Sequence, residues 1–500
     1  MLASVRTAAI QGVDACAVQV EVDVSFGMPL FTMVGLPDAS VRESRDRVRS
    51  AIRNSGFEFP PHRITVNLAP ADVRKAGAAF DLPIALGILA ASGVIPADAL
   101  ASMMVVGELS LDGRIQSTRG MLPFAAAARR EGLGYLLLPS ANASEAAAVL
   151  PAGLLPVASL ADAVGATRDP AASRAIVQAH PPTEPVVADF ADVAGQDLAR
   201  RAIEIASSGG HNLLMVGPPG AGKTMIARRM AGVLPPLTFD EAIESTTVHS
   251  VAGLVQPGAG LIAVRPFRAP HHTISASALA GGGSHPRPGE VSLAHNGVLF
   301  LDEMLEFPRS VLDVLRQPLE EGVVTVARAS RTVTFPARFV LVAATNPCPC
   351  GMAGDPVRTC RCTPQQVARY AGRLSGPLKD RLDLTVDVQR LPPDQLGTAG
   401  VSESSAAIRR RVMAARDRQQ QRYLGARVQT NGALGSTELR THCALDRSGL
   451  QLLQRAAERL GLSARGFDRV RRVARTVADL AGEDRIHADH VAEALQFRLG

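Results

Sequence analysis

Residues 214 to 228 read LMVGPPGAGKTMIAR, a short apolar run followed by a glycine-rich turn and then by residues suited to a helix. The turn, Gly217-Pro218-Pro219-Gly220-Ala221-Gly222-Lys223-Thr224, has the spacing and flanks of a phosphate-binding loop. Its glycines let backbone N–H groups turn inward around phosphate oxygens, and the helix N-terminus adds its positive end. Lys223, one of three lysines in the chain, is expected to reach the β and γ oxygens, and the Thr224 hydroxyl to ligate Mg²⁺. The cofactors this stretch predicts are ATP and Mg²⁺.

A second apolar run, 297 to 301, ends in Asp302-Glu303, and a third, FVLVAATN, ends in Asn346. Ligands of open α/β sheets sit at the carboxyl ends of the strands, so both endings are expected beside the loop. Asp302 would hold Mg²⁺ through water, and Glu303 would orient and deprotonate the attacking water. Asn346 would contact the γ-phosphate or that water. Phosphoryl transfer is mostly positioning and charge neutralisation, which these groups can supply. Arg381, in SGPLKDRLDL, is the candidate arginine finger, supplied by a neighbouring subunit to the γ-phosphate. Arg465, in LSARGFDRVRRVAR, is the candidate cis sensor tying the last domain to nucleotide state, with Arg472 on the same helix face as the alternative.

Directly after Asn346 come Cys348-x-Cys350, nine intervening residues and Cys360-x-Cys362, in a loop rich in proline and glycine. Four soft ligands match tetrahedral Zn²⁺. The expectation is a structural zinc that stiffens this loop, with free thiols as the alternative. Cys16 and Cys443 are isolated.

These groups need a frame. Residues 1 to 170 mix alternating runs (AVQVEVDVSF, RITVNLAP, MMVVGEL, GYLLLP) with helical stretches and read as an α+β domain. Residues 171 to 189 have linker composition. From 190 to 393, helices alternate with short apolar strands, the pattern of a parallel sheet with helical crossovers. Residues 394 to 500 lack strand-like runs and place apolar residues at helical spacing, which makes a helical domain. The fold class is therefore multidomain α/β.

Composition narrows the function classes. With 53 basic and 47 acidic residues, net charge alone does not announce a polyanionic partner. No N-terminal stretch has the pattern of an export signal, and the most apolar segment, 82 to 95, contains Pro83 and is too short to span a bilayer. A cytoplasmic protein without a membrane span is expected.

The ordered set resembles AAA+ ATPases. The stretch PFRAPHHTISASALAGGGSHPRPGEVSLAHNGVLFLDE is similar to the magnesium-chelatase-like branch, specifically the ComM/YifB family. The resemblance runs the whole chain and takes in VGLPDASVRES, GELSLDGRIQSTRG, DVAGQDLARRA and SARGFDRVRRVARTVADLAG. It implies a hexameric ring with ATP between subunits, a C-terminal helical lid, and a DNA helicase that promotes branch migration in recombination or natural transformation. The first domain resembles the Lon-protease fold (ribosomal S5 domain 2-like). Yet KAGAAFDLP puts Ala79 near the place of the serine, and no lysine lies between Lys75 and Lys223 to serve as its base. Without an activated hydroxyl there is no acyl transfer, so no peptidase activity is expected. EEGVVTVARASRTVTFPARF reads as a hairpin, which in related rings points into the channel, where Arg328 and Arg331 would suit DNA phosphates. His271 and His272 are adjacent, poorly arranged for a single ion, and expected in loop packing or DNA contact. Two other function classes fit the same core: a chelatase-type ATPase subunit that remodels a protein partner, and an ATP-dependent regulatory switch.

Overall fold

The computed structural model describes residues 1–73, 75–96, 98–175, 188–256, 259–283, 286–328, 331–355, 358–391, 402–426 and 428–498. Most of the expected linker, residues 176–187, and the expected boundary near residue 393 lie outside them.

The N-terminal unit is built on a seven-stranded mixed sheet. Its order is Leu30–Val34, Arg63–Ala69, Asp14–Ser25, Leu2–Gln11, Met103–Val105, Tyr135–Pro139 and Leu154–Val157. Alternation along these strands feeds two cores. Leu137 and Leu155 point into one, while Leu136, Leu138 and Leu154 point into the other, so helices cover both faces. The helix Asp81–Ala91 is buried at every residue, which its unbroken apolar sequence requires. Its first residue, Asp81, accepts from the Ser44 hydroxyl, from Arg47 Nε at 2.8 Å and from the Leu109 amide at 3.3 Å. A buried carboxylate needs such partners, and a helix N-terminus favours its charge.

The central unit carries the predicted parallel sheet. Five strands lie in the order Phe267–Arg268, Gly297–Leu301, Phe339–Thr345, Leu213–Val216 and Leu384–Asp387, all paired in parallel. Gly297–Leu301 is buried throughout, because both faces are covered. Val298 and Phe300 face one core, Leu299 and Leu301 the other.

Between residues 402 and 498 the described chain forms helices without a strand, among them Ser405–Arg422, Arg447–Leu460, Ala464–Ala481 and Ala488–Gln496. Ser405–Arg422 and Ala464–Ala481 pack on the helix Asp197–Gly209, and together these helices continue its core, so Val412, Val473 and Val491 share one apolar cluster with Leu213 and Val298. Polar bonds fix the join: Gln419 donates to Ser208 O at 2.9 Å and Arg416 to Ser207 O at 2.8 Å.

The N-terminal and central units also meet. The Ser250 hydroxyl, near the end of the helix Phe239–Ala252, donates to the buried Glu145 carboxylate. At the tip of the first N-terminal hairpin, Gly12 has φ +67°, and a Cβ there would stand 2.9 Å from Val333 of the hairpin strand Arg331–Pro336. Among the described residues no helix is long and apolar enough to cross a membrane.

Candidate functional site

The register of the central sheet gathers the predicted chemistry at one edge. Val216 pairs with Thr345 and Leu301 with Ala343, so Gly217, Asn346 and Asp302 leave their strands side by side. The loop itself needs its glycines. Gly220 and Gly222 take φ of +78° and +94°, a region L side chains rarely adopt, and a Cβ on Gly217 would lie 2.1 Å from the Val388 carbonyl. Lys223 begins the helix Lys223–Val233.

Lys223 is buried, and its Nζ donates to the carbonyls of Gly217 at 2.6 Å and Pro218 at 2.9 Å and to Asn346 Oδ1 at 3.3 Å. Burial pushes its ammonium below the ordinary lysine range, against the pull of Asp302 and Glu303. A positive group in that position gains strongly from an anion, and phosphate oxygens can replace the two carbonyls as its partners. Thr224 Oγ1 donates to Asp302 Oδ2 at 2.6 Å. The hydroxyl and the carboxylate thus meet as two hard oxygen donors, the type of ligand Mg²⁺ takes. Residues 217–224, Asp302 and Asn346 therefore fit Mg·ATP as a donor set.

Glu303 has φ +50° and ψ +46°, the left-handed region, which is strained for a side chain of this size. That turn carries its carboxylate out beyond Asp302, half exposed, with His272 Nδ1 3.6 Å from Oε2. His272 in turn stacks near His271, with ring centroids 4.1 Å apart. Sequence spacing did not point to this neighbour of Glu303, because it arrives on a separate loop. Two further contacts escaped sequence reading for a similar reason. Gln196 donates to Ala221 O at 3.3 Å and Arg390 to Pro219 O at 3.1 Å, and a side chain bonded to a carbonyl leaves no residue pattern.

Arg381 pairs with Glu320 of its own chain. Burial lowers its pKa, and Arg465, Arg469 and Arg472 lower it further. The charges of Arg465, of Arg472, its alternative as sensor, and of Arg469 thus all act on Arg381. Arg469 is tied down, donating to Asp380 at 2.8 Å and to Leu382 O at 3.1 Å.

All four Sγ atoms of Cys348, Cys350, Cys360 and Cys362 lie within 4.8 Å of one another. Three of the separations are 3.4, 3.7 and 3.6 Å. A tetrahedral ion with Zn–S bonds of about 2.3 Å sets its sulfurs about 3.8 Å apart, so the cluster has the dimensions of a four-thiolate metal site. Backbone N–H groups of Arg361 and Met352 hold the Cys350 thiol down to about 6. His271 and His272 join no such group among the described residues.

The hairpin pairs Val323–Arg328 with Arg331–Pro336, and Arg328 stands opposite Arg331 in its backbone register. Its turn, residues 329 and 330, and the side chains of these two arginines lie outside what the structure describes. Ala79 sits in the short turn Ala78–Phe80 with its carbonyl accepting from Gly107 at 3.1 Å, while Lys75 is buried and donates to Pro70 O.

Comparison with known proteins places these residues in context. Three family models cover most of the chain: magnesium chelatase, subunit ChlI, over residues 189–396; subunit ChlI of Mg-chelatase over 20–142; and the C-terminal part of the same subunit over 402–498. The competence protein ComM of Haemophilus influenzae is 46% identical, over 99% of this chain and 97% of that protein. YifB of Salmonella typhimurium is 44% identical over the same shares. A magnesium-chelatase 67 kDa subunit of Chlorobaculum parvum is 29% identical over 32% of this chain and 23% of its own length.

Proposed function

Because the chain belongs to the magnesium-chelatase-like ComM/YifB family of AAA+ proteins, we propose that it is an ATP-driven ring motor acting as a DNA helicase or translocase in branch migration. The observation that carries the ATPase reading is the meeting of Thr224 with Asp302 and of Lys223 with Asn346 at one sheet edge. The DNA reading leans on the relative named as a competence protein.

In this reading residues 217–224 wrap the triphosphate, and Lys223 neutralises its β and γ oxygens. Bound Mg²⁺ supplies charge neutralisation across those oxygens, with Thr224 and Asp302 as the groups that hold it. Glu303 takes the proton of the attacking water, and Asn346 fixes that water or the γ-phosphate. Arg381 reaches the site of the next subunit as the finger, in a hexamer with ATP between subunits. Arg465 is the sensor that ties the C-terminal helices to nucleotide state in cis, with Arg472 as the alternative. Arg328 and Arg331 grip the DNA backbone in the channel, and the C-terminal helices act as the lid. The N-terminal unit is a Lon-like scaffold without peptidase chemistry, since Ala79 carries no hydroxyl. We assign the four-cysteine cluster to structural zinc on the spacing of its sulfurs.

Two rivals share the nucleotide site, a chelatase-type subunit that remodels a protein and a switch that binds ATP without moving anything. ATPase rates of the purified chain with and without single-stranded or forked DNA separate them. The motor predicts stimulation by DNA. Stimulation only by a protein partner would favour the chelatase type, and negligible turnover the switch.

A further inference from the structure

The cysteine loop does more than follow Asn346 in sequence; it lies against the phosphate loop. Residues 346–363 contain no helix or strand among those described, and Cys348 is buried while Cys350 is exposed. Even so, this loop reaches Pro219 directly through Gly351 and indirectly through Arg390. Gly351 has φ +79°, and a Cβ there would stand 2.6 Å from Pro219 Cδ and 3.8 Å from Asn346 Cγ. Its amide donates to Cys348 O at 2.9 Å, which fixes the approach from just after the first cysteine pair. Arg390 donates to Pro219 O at 3.1 Å, and its Nε lies 3.7 Å from Asp355 of the cysteine loop. Asn346, two residues before Cys348, accepts from Lys223. A loop with so little apolar packing depends on its cross-link for shape, and a metal bound only by the folded loop stabilises that shape.

Resting on the zinc assignment above, we propose that metal in the four-cysteine site positions Pro219 and Asn346, so that zinc occupancy raises the affinity of the phosphate loop for ATP. The cysteines and Gly351 are positioning residues here; none touches the nucleotide. Coupling of two binding equilibria is reciprocal, so bound nucleotide must tighten zinc retention by the same factor.

The test uses the full-length chain. Zinc per chain is measured by a colorimetric chelator, the metal is then stripped under reducing conditions, and a fluorescent non-hydrolysable ATP analogue is titrated into both forms. The expected result is one zinc per chain, an analogue affinity at least about tenfold weaker in the stripped form, and recovery when zinc is returned. Equal affinity in the folded, zinc-free chain would overturn the coupling and leave the zinc assignment standing. A chain that neither carries nor takes up zinc would overturn the assignment itself. Should stripping unfold the protein, the reciprocal measurement decides: zinc retained by the intact chain at a fixed chelator concentration is read with and without the ATP analogue. Tighter zinc retention with the analogue bound supports the coupling, whereas equal retention with and without it overturns it.

Discussion

At the residue scale, the nucleotide site rests on a few side chains held by backbone geometry. Gly220 and Gly222 permit the turn, Lys223 is buried with only neutral acceptors as partners, and Glu303 is pushed outward by a left-handed backbone. In the proposed mechanism Glu303 is the base. Glu303→Gln should therefore retain binding of the ATP analogue and lower the hydrolysis rate about a hundredfold or more, read by single-turnover hydrolysis beside equilibrium titration. Hydrolysis at the wild-type rate would remove Glu303 from that role. Lys223, Thr224, Asp302 and Asn346 were legible from the sequence because each sits at a fixed offset from a strand end. His272 was not, because its approach to Glu303 depends on the path of an irregular loop.

At the scale of elements, legibility followed burial. The runs 213–216, 297–301 and 339–345 read as strands because strands covered on both faces must be apolar throughout, and the structure pairs them in parallel. The edges of that sheet were harder to read. Phe267–Arg268 is too short to show a period, and it pairs only because Gly297–Leu301 offers it a neighbour. The helix Asp81–Ala91 shows no amphipathic stripe, since it is enclosed on all sides, and its apolar length alone had to be weighed against a membrane span. The hairpin at 323–336 was legible from alternation, and its strands pair in the register the pattern requires. What the sequence could not disclose is that Gly12, in the first N-terminal hairpin, packs against Val333 of this second one. A contact between elements so far apart in the chain has no local signature.

At the scale of the whole molecule, shared contacts join the parts. One apolar cluster runs from the central sheet into the C-terminal helices, and the Ser250 to Glu145 hydrogen bond joins the central unit to the N-terminal one. Arg381 belongs to this scale, because the finger role proposed for it needs a neighbouring chain. Mixing Arg381→Ala chains with Lys223→Ala chains should restore part of the ATPase activity that each lacks alone, since some interfaces then pair an intact loop with an intact finger. No recovery at any ratio would place Arg381 in its own chain's site or outside catalysis. The central claim, an ATP-driven motor on DNA, is tested most directly by three-strand branch migration with the purified chain. Strand exchange with Mg·ATP and none with a non-hydrolysable analogue is the predicted result. Equal exchange with both, or none with either while ATP is hydrolysed, would contradict it.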